Sequence, residues 1–334
     1  FAAEELLPIT QFYLTGPLQH IKYLKSQNHE LSPLSTFKSE DDIYSKLEVN
    51  YFPPEVRHLI TTTQKSETFS SKLIELDDIR GDFHLHSSFA TESDHDDGVH
   101  SMTDFISQSI ELNYNYLGFS EHNPSYTRTD LSRRVELVKS KKITTIQLNN
   151  SYLSHENSRM KVFNCLEIDI TKDGLSLLDE ELWHELDFGI VSIHNQFDLS
   201  SEENTTRIIN ALRHPKALIL GHPTGRTLRW RLPIHADWNT IFSYCANNHK
   251  FLEINAWPDR QDLPEKLILE ARKYGCKFVI GSDAHQKNHM TMIKYGVEQA
   301  RRAGLKKNDI LNTYSLEKIE ELVTSINKPY YQSG

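Results

Sequence analysis

Seven short apolar runs, each of strand length and most ending on a histidine or a carboxylate, constrain this 334-residue chain more than any other feature. The runs are Asp82–His86, Tyr116–His122, Val162–Ile168, Phe188–His194, Ala217–His222, Phe251–Asn255 and Phe278–His285. Helical patterns lie between several of them, at Met102–Leu112, Thr205–Leu212, Trp238–Asn247 and Pro264–Tyr274, and another follows at Ser315–Ile326. Strand and helix in alternation, with room for a helix and a loop at each step, give βα units and a parallel sheet. Seven such strands predict an α/β fold of barrel type rather than a small open sheet.

The segment before this rhythm reads differently. Phe1–Leu14 has an apolar, helical pattern, Gly16-Pro17 breaks it, and Gln19–Gln27 reads as a second short helix. Ser39 is placed to cap a third helix running to Leu47, and Tyr51–Arg57 is a Pro-rich exit. Residues 61–72 are polar and rich in Ser and Thr, which suggests a linker. The expected organisation is therefore a head at 1–63, a linker at 64–80 and a main domain at 81–334. The first residue is Phe rather than Met, so the sequence is read as beginning within a longer protein.

Composition narrows the function classes. Apolar residues make up 38% of the chain and charged residues 25%, a folded and soluble composition rather than a disordered one. No apolar run is long enough to span a bilayer, so no membrane partner is expected. Three scattered cysteines, Cys165, Cys245 and Cys276, provide neither a disulfide framework nor a thiolate metal site, and a reducing cytoplasmic setting is the default. The formal charge of −9 argues against binding DNA through a basic face alone, although bound divalent metals could supply the missing positive charge. The 17 histidines make that route plausible, and their positions decide it.

The strand ends carry His84 and His86, Glu121-His122, Glu167 with Asp169 beyond it, His194, His222, Glu253-Ile-Asn255, and Asp283 with His285. In a parallel α/β barrel the strand C-termini converge on one face. Residues i and i+2 of a strand point to the same side, so His84/His86 and Asp283/His285 each form a two-pronged grip. Imidazole and carboxylate without thiolate suit Zn, Mn or Fe, and so many ligands call for two or three ions rather than one. His20, His29, His58, His155, His184, His214, His235, His249 and His289 fall in helices or loops and read as surface residues.

These stretches resemble the PHP (polymerase and histidinol phosphatase) family. The matching runs are Gly81–His86, Gly118–Ser125, Cys165–Asp169, Val191–His194, Gly221–Arg226, Glu253–Arg260 and Ile280–His285, in the family's order. His222-Pro-Thr-Gly-Arg226 and Asn255-Ala-Trp-Pro-Asp-Arg260 look like the PHP domain at the C-terminus of bacterial family-X DNA polymerases. Phe12–Gly16, Asp41–Tyr44 and Tyr51–Arg57 look like the thumb of that polymerase. The resemblance implies a distorted (β/α)7 barrel preceded by a small α/β polymerase-like segment. It implies up to three divalent ions held by His84, His86, His122, Glu167, His194, His222, Asp283 and His285. A further acidic ligand is expected in the loop Ser87–Gly98, which carries Glu92, Asp94, His95, Asp96 and Asp97. Asp97, just before Gly98, is favoured, with Asp96 second.

The Gly-Ser grip and Asp-x-Asp pair of a nucleotidyl-transferase palm do not precede the PHP-like stretch, so this chain alone is not expected to polymerise DNA. A polymerase core upstream is a possible partner. The resemblance implies hydrolysis of phosphoesters at DNA 3′ ends: 3′–5′ exonuclease, 3′-phosphatase or abasic-site cleavage. Glu167 would bridge ions, and Glu167, Asp283 and Arg226 are the expected catalytic groups. Arg226 and Arg260 could clamp phosphate. Asn255, Asn195 and Asp259 could orient substrate, and Tyr126 or Trp257 could stack on a base. Cys165 shares a strand face with Glu167 but reads as core. A histidinol-phosphate-type phosphatase and a non-catalytic metal-stabilised docking module are the competing readings.

Overall fold

The computed structural model describes residues 4–26, 31–59, 72–153, 160–175 and 178–331. Of the expected linker at 64–80, residues 64–71 lie outside the described residues, as do His29 and His155, whereas 72–80 are described and bury Leu73, Ile74 and Ile79. The chain divides into two compact units, Phe1–Ile74 with Arg301–Lys306, and Glu75–Ala300 with Lys307–Gly334.

In the first unit, helices α1 (Leu7–Thr15), α2 (Leu18–Ser26) and α3 (Glu40–Lys46) precede a 3-10 turn at Pro54–Leu59. Ser39 caps α3 in a reciprocal capping box with Asp42. Ile9, Phe12, Leu24, Ile43, Tyr44, Phe52 and Val56 form the core. The described residues of this unit are helix, turn and coil, so the strands expected of a small α/β segment are not among them. His20, read from sequence as a surface residue, is instead fully buried, with its Nε2 2.8 Å from the Tyr44 hydroxyl. Arg57 is buried beside it, paired with Glu40 at 3.0 Å and donating to the Phe52 carbonyl.

The second unit carries the seven expected strands: β1 (Gly81–Leu85), β2 (Tyr116–Phe119), β3 (Lys161–Asp169), β4 (Phe188–Ser192), β5 (Ala217–Leu220), β6 (Phe251–Asn255) and β7 (Lys277–Gly281). They pair in sequence order and all in parallel. A bridge between Leu85 and Ala284 brings the last strand back to the first, which makes a nearly closed, distorted seven-stranded barrel. The helices of this unit are α4 (Met102–Glu111), α5 (Leu131–Leu153), α6 (Glu180–Trp183), α7 (Ser201–Leu212), α8 (Trp238–Asn247), α9 (Glu265–Lys273), α10 (Ile293–Arg302) and α11 (Leu316–Tyr331). Ser101, Ser200 and Asp237 each accept backbone N–H groups at the starts of α4, α7 and α8.

Period-two alternation sorts the barrel interior into layers. Tyr116, Phe163, Cys165, Phe188, Ile190, Leu218, Phe251 and Val279 form an apolar plug. One to three same-face steps further along these strands lie His122, Glu167, His194, His222, Glu253 and Asp283. Hydrophobic filling thus sets the height at which the polar groups meet. Among the described residues no helix is long and apolar enough to cross a membrane.

Candidate metal centre

Glu167, near the end of β3, lies at the centre of the polar cluster. Its Oε2 is 3.2 Å from His84 Nε2, 3.4 Å from His86 Nε2 and 3.2 Å from His122 Nδ1. Its Oε1 is 2.7 Å from His222 Nε2 and 3.3 Å from His194 Nε2. Asp283 Oδ1 stands 3.6 Å from His84 Nε2 and 3.4 Å from His86 Nε2. His285 joins through its ring, stacked on that of His86 with centroids 4.3 Å apart. All eight residues expected to be ligands are therefore in one place. Four groupings bring their ligand atoms within 4.8 Å of one another: His84/His86/Glu167, Glu167/His194/His222, His86/His122/His285 and His95/His122/His194.

Charge and hydrogen bonding show that these residues fit cations. Glu167, Asp169, Glu253 and Asp283 are all buried, and among the described residues one guanidinium, that of Arg260, reaches them, at 3.2 Å from Asp283. Buried carboxylates so lightly compensated are costly without further positive charge. His84 Nε2, both ring nitrogens of His86, His122 Nδ1 and His285 Nε2 are buried without a hydrogen-bond partner, although most lie close to carboxylate oxygens. Lone pairs left unbonded among carboxylates are what a divalent ion needs. Burial pulls His122 well below its ordinary pKa and lowers His86, which keeps both rings neutral as ligands must be. Burial also opposes charge on Glu167, but the imidazoles around it, His84 and His194 foremost, outweigh it and hold the carboxyl well below its usual range. For His84 the balance goes the other way: Glu253, Glu167 and Asp283 override burial and raise it. That corner of the site attracts positive charge, whether proton or metal.

Two carboxylates orient the ligands from behind. Glu253 Oε1 accepts from His84 Nδ1 at 2.6 Å, and its Oε2 accepts the His222 backbone N–H at 2.6 Å. Asp169 lies 2.6 Å from His194 Nδ1 and 2.9 Å from His95 Nε2. Such partners fix the tautomer and aim of a ligating ring. Gly281 makes room for this, because a Cβ there would collide with Glu253 Oε1 and approach His84 Cβ to 2.9 Å.

His95 is the residue that sequence reasoning missed. In the loop Ser87–Gly98 the structure brings its ring, not Asp97, into the ligand groupings. Asp97 is exposed, and Asp96, 83% exposed, reaches His285 Nε2 at 3.5 Å. The missed signal was Asp169, which lies on the same strand face as Glu167 and therefore offers a carboxylate to a loop imidazole.

The expected substrate-facing residues divide. Arg260 touches Asp283 and keeps a buried Nη1 without a partner. Asn255 donates to Asp283 Oδ2 at 3.1 Å and to Glu253 Oε2 at 3.2 Å, so it positions carboxylates. Arg226 spends Nε on the Arg260 carbonyl at 2.9 Å and Nη2 on the Gln261 carbonyl, which ties two loops together. The Tyr126 ring is covered by the Arg134 guanidinium, 4.0 Å from its centroid. Asn195 is exposed, and Trp257 packs edge-on against His289. Leu228 N–H donates to the Asp259 carbonyl. Cys165 is fully buried in the apolar plug, and burial raises its thiol pKa.

The barrel and the clustered histidines and carboxylates are of the kind that the PHP resemblance implies, and the sequence is similar to a DNA polymerase/3′-5′ exonuclease and to probable phosphatases. No family model matches the sequence. It is 29% identical over 333 residues to the DNA polymerase/3′-5′ exonuclease PolX of Bacillus subtilis (strain 168). That match covers 95% of this chain, which spans 56% of the length of that protein. A probable phosphatase of Thermoanaerobacter sp. (strain X514) is 29% identical over 184 residues, covering 52% of this chain and 72% of its own. Among solved structures, histidinol phosphate phosphatase of Lactococcus lactis subsp. lactis Il1403, complexed with zinc, L-histidinol and phosphate, aligns with a TM-score of 0.46. It is 17% identical, and the match covers 68% of this chain and 94% of that one.

Proposed function

We propose that the chain hydrolyses phosphoesters at DNA 3′ ends with two to three divalent ions, Mn, Zn or Fe, in the barrel mouth. The observation that carries this reading is the convergence of five imidazoles on Glu167. His84, His86, Glu167 and Asp283 would hold one ion; Glu167, His194 and His222 a second; His86, His122 and His285 or His95, His122 and His194 a third. Bound divalent ions supply Lewis acidity toward phosphoryl oxygens and a nucleophile from water at neutral pH.

The chain's own residues do the rest. Glu253 and Asp169 hold three imidazoles in place, and Asn255 holds Asp283. Arg260 keeps a free donor edge for a phosphate oxygen beside Asp283. The DNA reading is supported by the extent of the relation to the polymerase/exonuclease, which runs over both units, whereas the phosphatase relation covers about half of the chain. The small-molecule phosphatase is the second reading, favoured by those shorter relatives.

The test is a single-stranded oligonucleotide incubated with the chain, Mn²⁺ added or chelated, and products resolved by length. Stepwise Mn-dependent shortening from the 3′ end is expected. No shortening alongside hydrolysis of histidinol phosphate would transfer the site to the second reading, and no hydrolysis of either would leave a docking module.

A further inference from the structure

Beyond the metal centre, the loop from β5 to α8 presents a feature that the proposed chemistry does not use. Thr227–Arg231 forms a tight hairpin, with Thr227 N–H donating to the Arg231 carbonyl at 3.0 Å and Arg231 N–H to the Thr227 carbonyl at 2.8 Å. Trp230 at its tip is 83% exposed and the neighbouring Leu232 86%. The hairpin is nonetheless held firmly. The Arg231 guanidinium lies 3.8 Å over the Phe197 ring and donates to the Gly225 carbonyl. Arg226 and the Leu228 N–H bind it to the loop after β6. A large aromatic ring fixed in solvent at the end of a braced turn gains nothing from the fold itself.

Three observations identify what covers it. First, residues 221–236 carry Arg226, Arg229 and Arg231 and no carboxylate, in a chain of net charge −9. Second, Arg229 adopts a left-handed φ of 72°, where glycine is favoured, so the turn keeps a cationic side chain at a conformational cost. Third, the hairpin is bonded to residues 259–261, and Arg260 in that stretch touches Asp283. An exposed indole flanked by arginines and joined to the loop that reaches the metal ligands matches the surface that single strands use, with bases stacked on aromatics and phosphates met by cations.

We propose that the Thr227–Arg231 hairpin is a capture platform for single-stranded DNA, in which Trp230 stacks on a base upstream of the 3′ end and Arg229 meets the adjoining phosphate. The proposal rests on the 3′-end reading above, but it is tested apart from it. Binding is measured by anisotropy of a fluorescein-labelled oligo-dT with phosphorothioate linkages at its 3′ end. Turnover is measured on unmodified oligo-dT and on p-nitrophenyl phosphate.

Trp230→Ala should weaken oligonucleotide binding by about 10- to 100-fold, and Trp230→Phe should restore most of it. The loss of kcat/KM on oligo-dT should exceed that on p-nitrophenyl phosphate by about 10-fold or more, mainly through KM. Arg229→Ala should reduce the salt dependence of binding by about one counterion. Undiminished binding by Trp230→Ala, no binding by the wild type, or equal losses on both substrates would each overturn the platform. So would a dimer that Trp230→Ala dissociates without changing DNA affinity. Wild-type binding that depends on Trp230 without any cleavage would uphold the platform and sink the 3′-end reading. Cleavage indifferent to Trp230 would do the reverse.

Discussion

Glu253→Gln is the substitution that most directly tests how the barrel aims its ligands. The wild-type carboxylate accepts from His84 Nδ1 and from the His222 backbone N–H, both at 2.6 Å. It thereby fixes one group on β1 and another just beyond β5. Glutamine keeps the shape and one acceptor, but its amide nitrogen cannot accept, so either the bond from His84 or those from the His222 N–H and Asn255 are lost. The oxygen that remains is also uncharged. A hydrogen bond to a charged group contributes about 1.5–3 kcal/mol, and loss of such an orienting partner lowers metal affinity by about 10- to 100-fold. The expected result is a rise of that size in the Mn²⁺ concentration giving half-maximal activity, with kcat at saturating Mn²⁺ within a fewfold of wild type. The same rise should appear in metal retained after dialysis against graded Mn²⁺ buffers, which does not depend on turnover. Circular dichroism melts of the loaded protein check that the barrel is intact. An unchanged Mn²⁺ requirement in a folded variant would refute the orienting role of Glu253.

Gly281→Ala should force Glu253 and His84 apart, lowering thermal stability by about 1–3 kcal/mol and raising the Mn²⁺ requirement; a variant matching wild type in both would refute the packing argument. His95→Ala should reduce bound metal per chain by mass spectrometry far more than Asp97→Ala does, and the opposite order would return the loop ligand to Asp97. His20 sets a pH dependence in the first unit: burial, then Arg57, lowers its pKa to about 4 in the fold, against about 6.5 unfolded. A depressed histidine means that the unfolded chain binds more protons, so this contribution is complete above about pH 6.5 and declines as pH falls to about 4, by about 3 kcal/mol in total. Amide exchange in α1 and α2, corrected for intrinsic rates, should accelerate across that window in wild type and not in His20→Gln; equal acceleration in both would remove His20 as the cause.

Much of the barrel was legible because each strand is an apolar run of the right length that ends abruptly on a polar group. All seven appear, with ends shifted by a few residues, since Ser120–His122 and Ser282–His285 leave the ladder before the polar residue arrives. The helix α5 was not anticipated. Its buried face mixes Leu137 and Val138 with Arg134, Lys141, Thr145 and Asn149, so the apolar stripe is interrupted. Lys141 explains the exchange: its ammonium donates to the Phe119 and Cys165 carbonyls and to Asn164 and lies 3.0 Å from Glu121. A helix that docks partly by hydrogen-bonding strand carbonyls leaves a broken hydrophobic period to read. The ligands on strand ends were legible for the same reason as the strands. His95 was not, because a loop residue's position depends on the path of the loop, which no periodicity encodes. Arg226 was visible as a cation after a strand, but sequence could not show that the carbonyls of Arg260 and Gln261 would occupy it.

The junction between the first and last strands has a consequence of its own. Along β1 and β7 the ring closes through the Leu85–Ala284 bridge, with His86 N–H donating to the Ala284 carbonyl at 2.9 Å and Ala284 N–H to the His84 carbonyl at 3.3 Å. These bonds lie among His84 and His86 on one edge and Asp283 and His285 on the other. An ion gripped from both edges would act as a rivet through the hoop at its thinnest point. Stripping the metal would then unseal the barrel along one line before anything else gave way, with amide protons of β1 and β7 exchanging first. The residues that cut the substrate would also be the ones that keep the ring shut, so a ligand lost to mutation would open a seam as well as stop the chemistry.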